Sequence, residues 1–242
     1  MTEPFTVITL TGGRPQTLAL CKKYLARQTL LPSQWVVVDD GDTPVEPSSL
    51  LIPGVSLCYV HRCRMPSDPL HTLTCNLKAA MLLVGTERII FMEDDDWYSP
   101  NYLKTLNAGF DTGAEIVGQC GTVYYRMRRR QWRDNHNYQH ASLCATGVSH
   151  TLFPLVYEIC EDNSPLVDLR LWKRTRKVSQ SLLLNALPRL HVGMKELPGR
   201  PGTTSGWKQE SHRYTEDPDL SILTSLVGNQ DAKSYERMIS NV

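Results

Sequence analysis

The chain has 242 residues, of which 41% are hydrophobic and 21% are charged. This length can bury one substantial core, and the composition is that of a globular protein rather than a disordered or fibrous one. The formal net charge is +1, so no overall field commits the protein to a nucleic acid or a membrane. A partner of either kind would have to be recognised by a local patch.

Cysteine usage and the N-terminal sequence indicate the compartment. Seven cysteines are scattered without a paired CxxC spacing, which is typical of reduced thiols. The first residues show no basic segment followed by an apolar one, as a secretory signal would require. No apolar run approaches the roughly 20 residues that cross a bilayer. We therefore expect a cytoplasmic protein (in the host cytoplasm if a phage encodes it) with no membrane span.

Strand-like and helix-like segments alternate in the first half of the chain, which indicates an α/β fold with a parallel sheet. Strands are predicted over Val7–Leu10, Trp35–Val38, Val55–Val60 and Arg88–Met92, and helices over Pro15–Gln28 and Leu70–Leu83. Beyond Gly113 the rhythm loosens. There we predict one long strand over Glu115–Tyr125, helices over Leu166–Arg176 and Pro218–Val227, and a loop over Gly199–Gly206.

Four consecutive carboxylates, Glu93 to Asp96, follow the predicted strand that ends at Met92. Ligands of open α/β sheets bind at the carboxyl ends of the strands. Mg²⁺ and Mn²⁺ prefer carboxylate oxygens and can bridge a protein to a diphosphate. The alternative is a solvated acidic turn before a helix, where carboxylates favour the helix dipole. The buried strand before the run and the aromatic residues after it favour a cation site.

The segment Ile89–Leu103 resembles the DxD region of GT-A glycosyltransferases, in particular the large inverting family with many bacterial and phage members. The resemblance implies a GT-A fold, in which helices flank a mostly parallel, Rossmann-like sheet and the acceptor side is more irregular. It also implies one domain over 1–242, with a nucleotide-sugar half (1–113) and an acceptor half (114–242). In that pattern Asp95 binds Mn²⁺ or Mg²⁺, Glu93 and Asp94 face the ribose and diphosphate, and Asp96 lies behind them.

Two earlier strand ends resemble further signatures of the same family. Thr9–Pro15 is similar to the opening strand and loop beside the nucleotide, which implies donor contacts by Thr11, Gly12 and Arg14. Asp39 and Asp40 are similar to the second signature, in which an acidic residue accepts hydrogen bonds from the base or ribose. The family resemblance favours a uridine diphosphate sugar as the donor.

The segment His71–Lys78 resembles a family helix that faces the donor, which implies donor contacts by Asn76 and Lys78, with Arg62 as another candidate for phosphate. The competing hypothesis is a zinc site. Its candidate ligands are Cys58, His61, Cys63, His71 and Cys75. Their irregular spacing lacks the paired CxxC or HxxxH of a zinc site, which disfavours that hypothesis.

An inverting transferase needs a carboxylate that takes the proton from the acceptor hydroxyl. Asp162, in Glu161-Asp162, resembles the acidic pair of many family members, and Asp168 resembles a variant with Asp-x-x-Leu-Trp. We favour Asp168, because it would begin an amphipathic helix and point into the cleft. Either residue could instead be a helix cap.

The segments His191–Lys195 and Pro198–Gly202 resemble a closing strand and loop that cover the diphosphate. The resemblance implies that Lys195 and Arg200 bind phosphate oxygens. It leaves the third metal ligand open, with His191 and His212 as candidates. Trp207 is a candidate for stacking on the acceptor or the sugar.

An arginine-rich segment suggests the acceptor. Its basic residues, interleaved with Tyr124, Tyr125 and Trp132, are Arg126, Arg128, Arg129, Arg130 and Arg133. Charge runs usually form a solvated face, but arginines among aromatic residues also suit phosphate contacts and base stacking. We favour a hydroxymethylated pyrimidine in phage DNA, made accessible by flipping. The alternatives are a carbohydrate or lipid-linked glycan acceptor and, in another class, a metal-dependent nuclease or nucleotidyltransferase.

Overall fold

The computed structural model describes residues 3–164, 166–176, 180–199 and 213–240. Its helices are α1 (Pro15–Ala26), α2 (Leu73–Met81), α3 (Tyr102–Phe110), α4 (Phe153–Glu161), α5 (Val167–Thr175), α6 (Ser221–Val227) and α7 (Asn229–Ser240). Its strands are β1 (Thr6–Thr11), β2 (Gln34–Asp39), β3 (Ser56–His61), β4 (Arg88–Phe91), β5 (Trp97–Tyr98), β6 (Ile116–Gln119), β7 (Val123–Arg126), β8 (Gln131–Asp134), β9 (Thr146–Ser149), β10 (Ser181–Leu184), β11 (His191–Lys195) and β12 (Thr215–Glu216).

The main sheet has the strand order β10-β6-β9-β4-β1-β2-β3 within the described ranges. Strands β1 to β4 are parallel to their neighbours in this set, and only β9, between β4 and β6, runs antiparallel to both. Alternate residues of β2 enter cores on opposite faces: Trp35 and Val37 on one, Val36 and Val38 on the other. A strand covered on both faces has a continuous apolar sequence. The predicted α/β fold with a mostly parallel sheet is confirmed.

A second sheet has the strand order β12-β8-β7-β11-β5 within the described ranges. It corrects one prediction: the single long strand expected over 115–125 is wrong. The chain leaves the main sheet after Gln119 and enters the second sheet at Val123. Gly121 between them has φ +66°, a conformation that glycine adopts without steric penalty. The break therefore separates two sheets.

The C-terminal helices also differ from the prediction. The helix expected from Pro218 begins at Ser221, because the Asp217 carboxylate accepts the backbone N–H groups of Ile222 and Leu223 at 3.0 and 2.9 Å. Helices α4 and α7 were not predicted at all. The helix expected over 166–176 is confirmed as α5. None of the described helices is long and apolar enough to cross a bilayer, and all seven cysteines are free thiols.

Helix α7 is attached to the core through one buried carboxylate, Asp231. It accepts hydrogen bonds from Lys23 Nζ at 2.8 Å, Arg27 Nη1 at 2.6 Å and Trp97 Nε1 at 2.8 Å. Burial would raise the pKa of Asp231, but Lys23, Trp97 and Arg27 outweigh it and lower that pKa. Helix α7 is thereby fixed against both α1 and β5.

We predict that Asp231→Asn lowers the free energy of unfolding by about 1–3 kcal/mol at neutral pH, the cost of weakening hydrogen bonds to charged partners. A lowered folded-state pKa stabilises the protein above the unfolded value of about 3.9, and this stabilisation is lost as the pH falls through the folded value. The difference between wild type and variant should therefore shrink in acid. Urea unfolding as a function of pH measures it.

The matched control is Asp111→Asn, whose side chain is 61% exposed beside Arg88. It should change the free energy of unfolding by less than about 0.5 kcal/mol. An Asp231→Asn effect as small as this, or one that is constant down to acid pH, would contradict the anchoring role of Asp231.

Candidate active site

The acidic run lies at the carboxyl edge of the main sheet. Strand β4 ends at Phe91, and Glu93 to Asp96 form the turn between β4 and β5, which we call the acidic turn. Because β1 is parallel to both β2 and β4, the ends of these three strands lie side by side. The loops after Thr11 and Asp39 therefore adjoin the acidic turn. This edge is the expected ligand-binding edge of an open α/β sheet.

Asp94 is directed into the protein. Its carboxylate is fully buried and accepts hydrogen bonds from Thr11 Oγ1 at 2.6 Å and Thr17 Oγ1 at 3.3 Å. Its other oxygen pairs with Arg14 Nη2. Burial raises the pKa of Asp94, and the Arg14 charge opposes that rise. Three residues predicted to contact the sugar nucleotide, Thr11, Arg14 and Asp94, thus lie together. The contacts observed here are between these residues themselves.

Asp96 is the second internal carboxylate. His191 Nε2 lies 2.8 Å from one oxygen, and the other accepts the Met194 N–H at 2.8 Å, with Lys195 Nζ at 3.5 Å. Burial would raise the pKa of Asp96, but Lys195 and His191 hold it well below its usual range. Asp96 thus fastens β11 to the acidic turn. The predicted phosphate ligand Lys195 lies at the turn, beside Asp96.

Asp95 and Glu93 are less completely engaged. Asp95 Oδ2 accepts a hydrogen bond from Arg14 Nη1 at 2.8 Å. Asp95 Oδ1 is buried, and no group in the described parts of the chain donates to it. The Glu93 N–H donates to the Tyr98 hydroxyl at 2.6 Å. Burial and the charges of Asp96 and Asp95 raise the pKa of the Glu93 side chain.

A divalent cation fits this arrangement. One oxygen each from Glu93, Asp95 and Asp96 lie within 4.8 Å of one another. Such an all-oxygen set suits Mg²⁺ or Mn²⁺. The buried Asp95 Oδ1 accepts no hydrogen bond from the described residues, and a cation would provide the missing partner. A buried polar atom without a partner is costly. The residues present therefore fit the cation that the sequence predicts at Asp95.

A second group, Asp96, Cys144 and His191, also lies within 4.8 Å but fits a hard cation poorly. Its Cys144 would offer a soft sulfur ligand rather than an oxygen, and burial raises the pKa of the Cys144 thiol well above its usual value. His191 is thus placed behind the acidic turn, bonded to Asp96. His212, the other candidate third ligand, lies outside the described residues, as do Arg200 and Trp207. The disfavoured zinc hypothesis for residues 58–75 gains no support, because no group of three from those cysteines and histidines lies close enough, although all of them are described.

The loops of β1 and β2 meet at two glycines. A Cβ on Gly41 would collide with the backbone nitrogen of Gly13, so the contact requires glycine. Asp39 is buried and accepts the Gly41 N–H at 2.9 Å and the Tyr59 hydroxyl at 2.9 Å. Its carboxylate therefore shapes this loop, and Gly12 lies in the adjoining one. Whether Asp39 also contacts the base stays a prediction.

Arg62 connects two other residues that were predicted to contact the sugar nucleotide, Asp40 and Asn76. Its guanidinium donates to Asn76 Oδ1 at 2.7 Å and lies 3.4 Å from the buried Asp40 carboxylate. Asn76 on α2 is therefore joined to the end of β2. Lys78 takes a different direction, since its Nζ pairs with Glu161 of α4 at 3.1 Å. The structure does not bring Lys78 to the acidic turn.

The two candidate bases lie in different surroundings. Asp168, in the first turn of α5, is half-buried and accepts the backbone N–H groups of Leu169 (at 2.8 Å) and Leu143. Leu143 precedes Cys144, whose sulfur lies within 4.8 Å of an Asp96 oxygen, so the segment Leu143–Cys144 connects Asp168 to the acidic turn. Burial raises its pKa. The Asp162 side chain is 65% exposed at the end of α4 and pairs with Arg170.

The five arginines of the basic segment do not form one surface. Arg126 and Arg133 are buried beside Tyr214, with guanidinium carbons 3.8 and 5.3 Å from its ring centroid. The other three lie in the turn between β7 and β8. There Arg128 and Arg129 contact Glu196 at 3.3 Å each, and Arg130 donates to the Pro218 carbonyl at 2.7 Å.

The sequence analysis missed several residues that support the acidic turn. They include Thr17 on Asp94, Tyr98 on Glu93, and Tyr235, whose hydroxyl donates to the Asp95 carbonyl at 3.3 Å. Thr17 could have been found from its position in the first turn of a helix facing the strand ends. Tyr235 offered no local signal, because its partner is 140 residues away.

Comparison with known proteins identifies the family. The model of glycosyl transferase family 2 matches residues 6–165, about two thirds of the chain. The chain belongs to glycosyl transferase family 2. The matched range contains the acidic turn and the ends of β1, β2 and β4, and it ends before Asp168, β11 and the C-terminal helices. No curated protein sequence matches the chain significantly.

Solved structures agree on the fold of this family 2 member. The S. aureus TarS 1-349 structure in complex with UDP-GlcNAc superposes with a TM-score of 0.54 at 13% identity, over 81% of this chain and 60% of that one. Another structure of S. aureus TarS gives 0.54 at 12% identity, over 79% of this chain and 36% of that one. This chain thus matches only part of the length of either relative. The predicted GT-A glycosyltransferase fold is confirmed.

Proposed function

We propose that this family 2 domain transfers a sugar from a nucleotide diphosphate, with a uridine donor favoured, and that Mn²⁺ or Mg²⁺ is required. The observation that carries the proposal is the convergence of Glu93, Asp95 and Asp96 oxygens within 4.8 Å at the sheet edge. The buried, donorless Asp95 Oδ1 supports it. The UDP-GlcNAc bound to the TarS relative supports uridine.

In this proposal Asp95 and Glu93 hold the cation, with Asp96 behind them. The cation supplies positive charge against the diphosphate leaving group. Residues 1–113 bind the nucleotide sugar, and residues 114–242 form the acceptor side. Lys195, whose ammonium lies 3.5 Å from Asp96, is within the turn where the diphosphate would bind. The seven free thiols are consistent with a reducing, cytoplasmic environment.

Asp168 is the proposed general base. Its half-buried carboxylate lies beside the Leu143–Ala145 segment, which adjoins Asp96 and His191. Burial raises its pKa, which makes the carboxylate a better proton acceptor. Asp162 is the weaker candidate, because it is exposed and paired with Arg170.

The proposed acceptor is a hydroxymethylated pyrimidine in DNA. Arg128, Arg129 and Arg130 support it, since they occupy one turn. The ion pairs of Arg129 with Glu196 and of Arg130 with Glu236 are partly exposed. Exposed ion pairs contribute little free energy, so phosphates could displace these glutamates. A carbohydrate or lipid-linked glycan is the alternative acceptor.

Substituting Asp95 tests the cation. We predict that Asp95→Asn weakens Mn²⁺ binding at least about tenfold by removing a carboxylate ligand and lowers transfer about 10²- to 10³-fold. Calorimetry with Mn²⁺ and UDP, followed by transfer assays, measures both. Asp111→Asn serves as the control because it is exposed and remote. If Asp95→Asn leaves both quantities unchanged, the metal-dependent proposal fails.

A pair of variants tests the base. Asp168→Asn should lower kcat about 10²- to 10⁴-fold because proton transfer from the acceptor is abolished, with UDP affinity unchanged. Asp162→Asn makes the same chemical change at the other candidate. It should leave kcat within a factor of about two of wild type, because the exposed ion pair with Arg170 contributes little free energy. The reverse pattern would assign the base to Asp162, and two active variants would exclude both.

Salt dependence tests the acceptor. If Arg128, Arg129 and Arg130 bind DNA phosphates, replacing each with Gln should reduce the slope of log affinity against log salt by about one for every phosphate that is no longer neutralised. Hydrolysis of the sugar nucleotide without acceptor should be unaffected. The control is Arg174→Gln, an exposed arginine paired with Glu158 on the α4–α5 side.

The same assay separates the alternatives. Transfer to DNA that ignores both salt and these arginines would exclude them as the DNA-binding surface. Absence of transfer to DNA would contradict the DNA hypothesis and favour a glycan acceptor. Cleavage of plasmid DNA with Mn²⁺ and no sugar nucleotide would instead indicate a nuclease. Oligonucleotides with and without hydroxymethylcytosine provide the substrate and its matched control.

A further inference from the structure

Arg14, which the family resemblance makes a candidate for donor contact, is bonded to two carboxylates of the acidic turn. Its two terminal nitrogens are both engaged, Nη1 with Asp95 Oδ2 at 2.8 Å and Nη2 with Asp94. The side chain is only 14% exposed. The planar guanidinium suits this double contact, since its donors project in a fixed fork. Arg14 therefore bridges the two central carboxylates of the acidic turn.

The backbone and stem of Arg14 are held as firmly as its head group. The Arg14 carbonyl accepts the Thr17 hydroxyl at 2.9 Å and the Leu18 N–H at 3.1 Å, at the start of α1. Gly199, with φ +100°, lies so close that a Cβ there would collide with Cγ of Arg14. The segment after β11 thus packs on the arginine stem. Both ends of the side chain are fixed.

Release of Arg14 toward a ligand would be unfavourable. Among the described residues, only the hydroxyls of Thr11 and Thr17 would remain as donors to the fully buried Asp94. A buried charge that loses its partner is strongly destabilising. Arg14 also leaves Asp95 with one oxygen engaged and the other, Oδ1, buried without a donor in the described chain. That geometry presents a single oxygen to a cation.

We propose that Arg14 is a positioning residue that fixes the Asp95 carboxylate so that Oδ1 coordinates the cation, and that it does not bind the donor phosphates. The inference rests on the proposed cation at Asp95. Under this inference, the loop after β1 orients a metal ligand. Metal affinity, rather than nucleotide affinity, is the quantity that Arg14 controls.

Arg14→Lys is the informative variant, because it keeps the positive charge and removes the fork that spans two carboxylates. We expect the Mn²⁺ dissociation constant, measured by calorimetry without nucleotide, to rise about tenfold, as for other residues that orient metal ligands. Binding of UDP without metal should stay unchanged. Arg88→Lys is the matched control: Arg88 is also 14% exposed but pairs with Asp111 and lies at the start of β4, away from the acidic turn. It should leave the Mn²⁺ affinity unchanged.

Gly199→Ala is the second variant if Arg14→Lys fails to fold, as judged by thermal unfolding. It displaces the arginine stem without changing a charge, and it should also weaken Mn²⁺ binding. Tighter Mn²⁺ binding in Arg14→Lys would show that Arg14 competes with the cation, and weaker UDP binding without metal would show a phosphate ligand. Either result overturns the inference. If wild type itself binds no Mn²⁺, the proposed metal-dependent function fails first.

Discussion

The structure depends on compensating four consecutive carboxylates at the edge of a buried sheet. Two basic side chains, Arg14 and Lys195, lie against them, so four negative charges and two positive ones leave two negative charges if all are ionised. Like charges held this close are costly in a partly buried site. The divalent cation of the proposed function would supply the missing charge. Among the described residues no donor reaches the buried Asp95 Oδ1, and this is where the proposed cation would bind.

The groups that hold the acidic turn come from the whole length of the chain. Arg14 and Thr17 belong to the start of α1, His191 and Lys195 to β11, and Tyr235 to α7. The last three lie beyond residue 165, where the family match ends. The C-terminal part of the chain therefore also supports the acidic turn. A precise site needs such supporting contacts, because each fixes the direction of a ligating side chain.

The sequence predicts those parts of the site that are formed by residues close together in the chain. Strand β2 was recognisable because its apolar run is covered on both faces, and the acidic turn because four carboxylates follow a strand. Contacts between distant residues left no such pattern: Arg14 lies 80 residues from Asp94, and His191 lies 95 from Asp96. The split at Gly121 was hidden because apolar residues continue on both sides of it. Helix α7 was missed although Ala232, Tyr235 and Met238 recur at helical spacing.

Counting the arginines of the basic segment in the sequence overestimates how many of them are exposed for binding. Arg126 ends β7 and Arg133 lies in β8. Both guanidinium groups pack inward over the Tyr214 ring, so they are part of the interior of the second sheet. Arg128 to Arg130 alone occupy the exposed turn, and Glu196 and Glu236 already neutralise part of their charge. An anionic acceptor must therefore displace two carboxylates as well as water. Glu196 directly follows Lys195, whose ammonium lies 3.5 Å from Asp96. Under the proposed function, an acceptor bound at this turn would therefore lie close to the acidic turn.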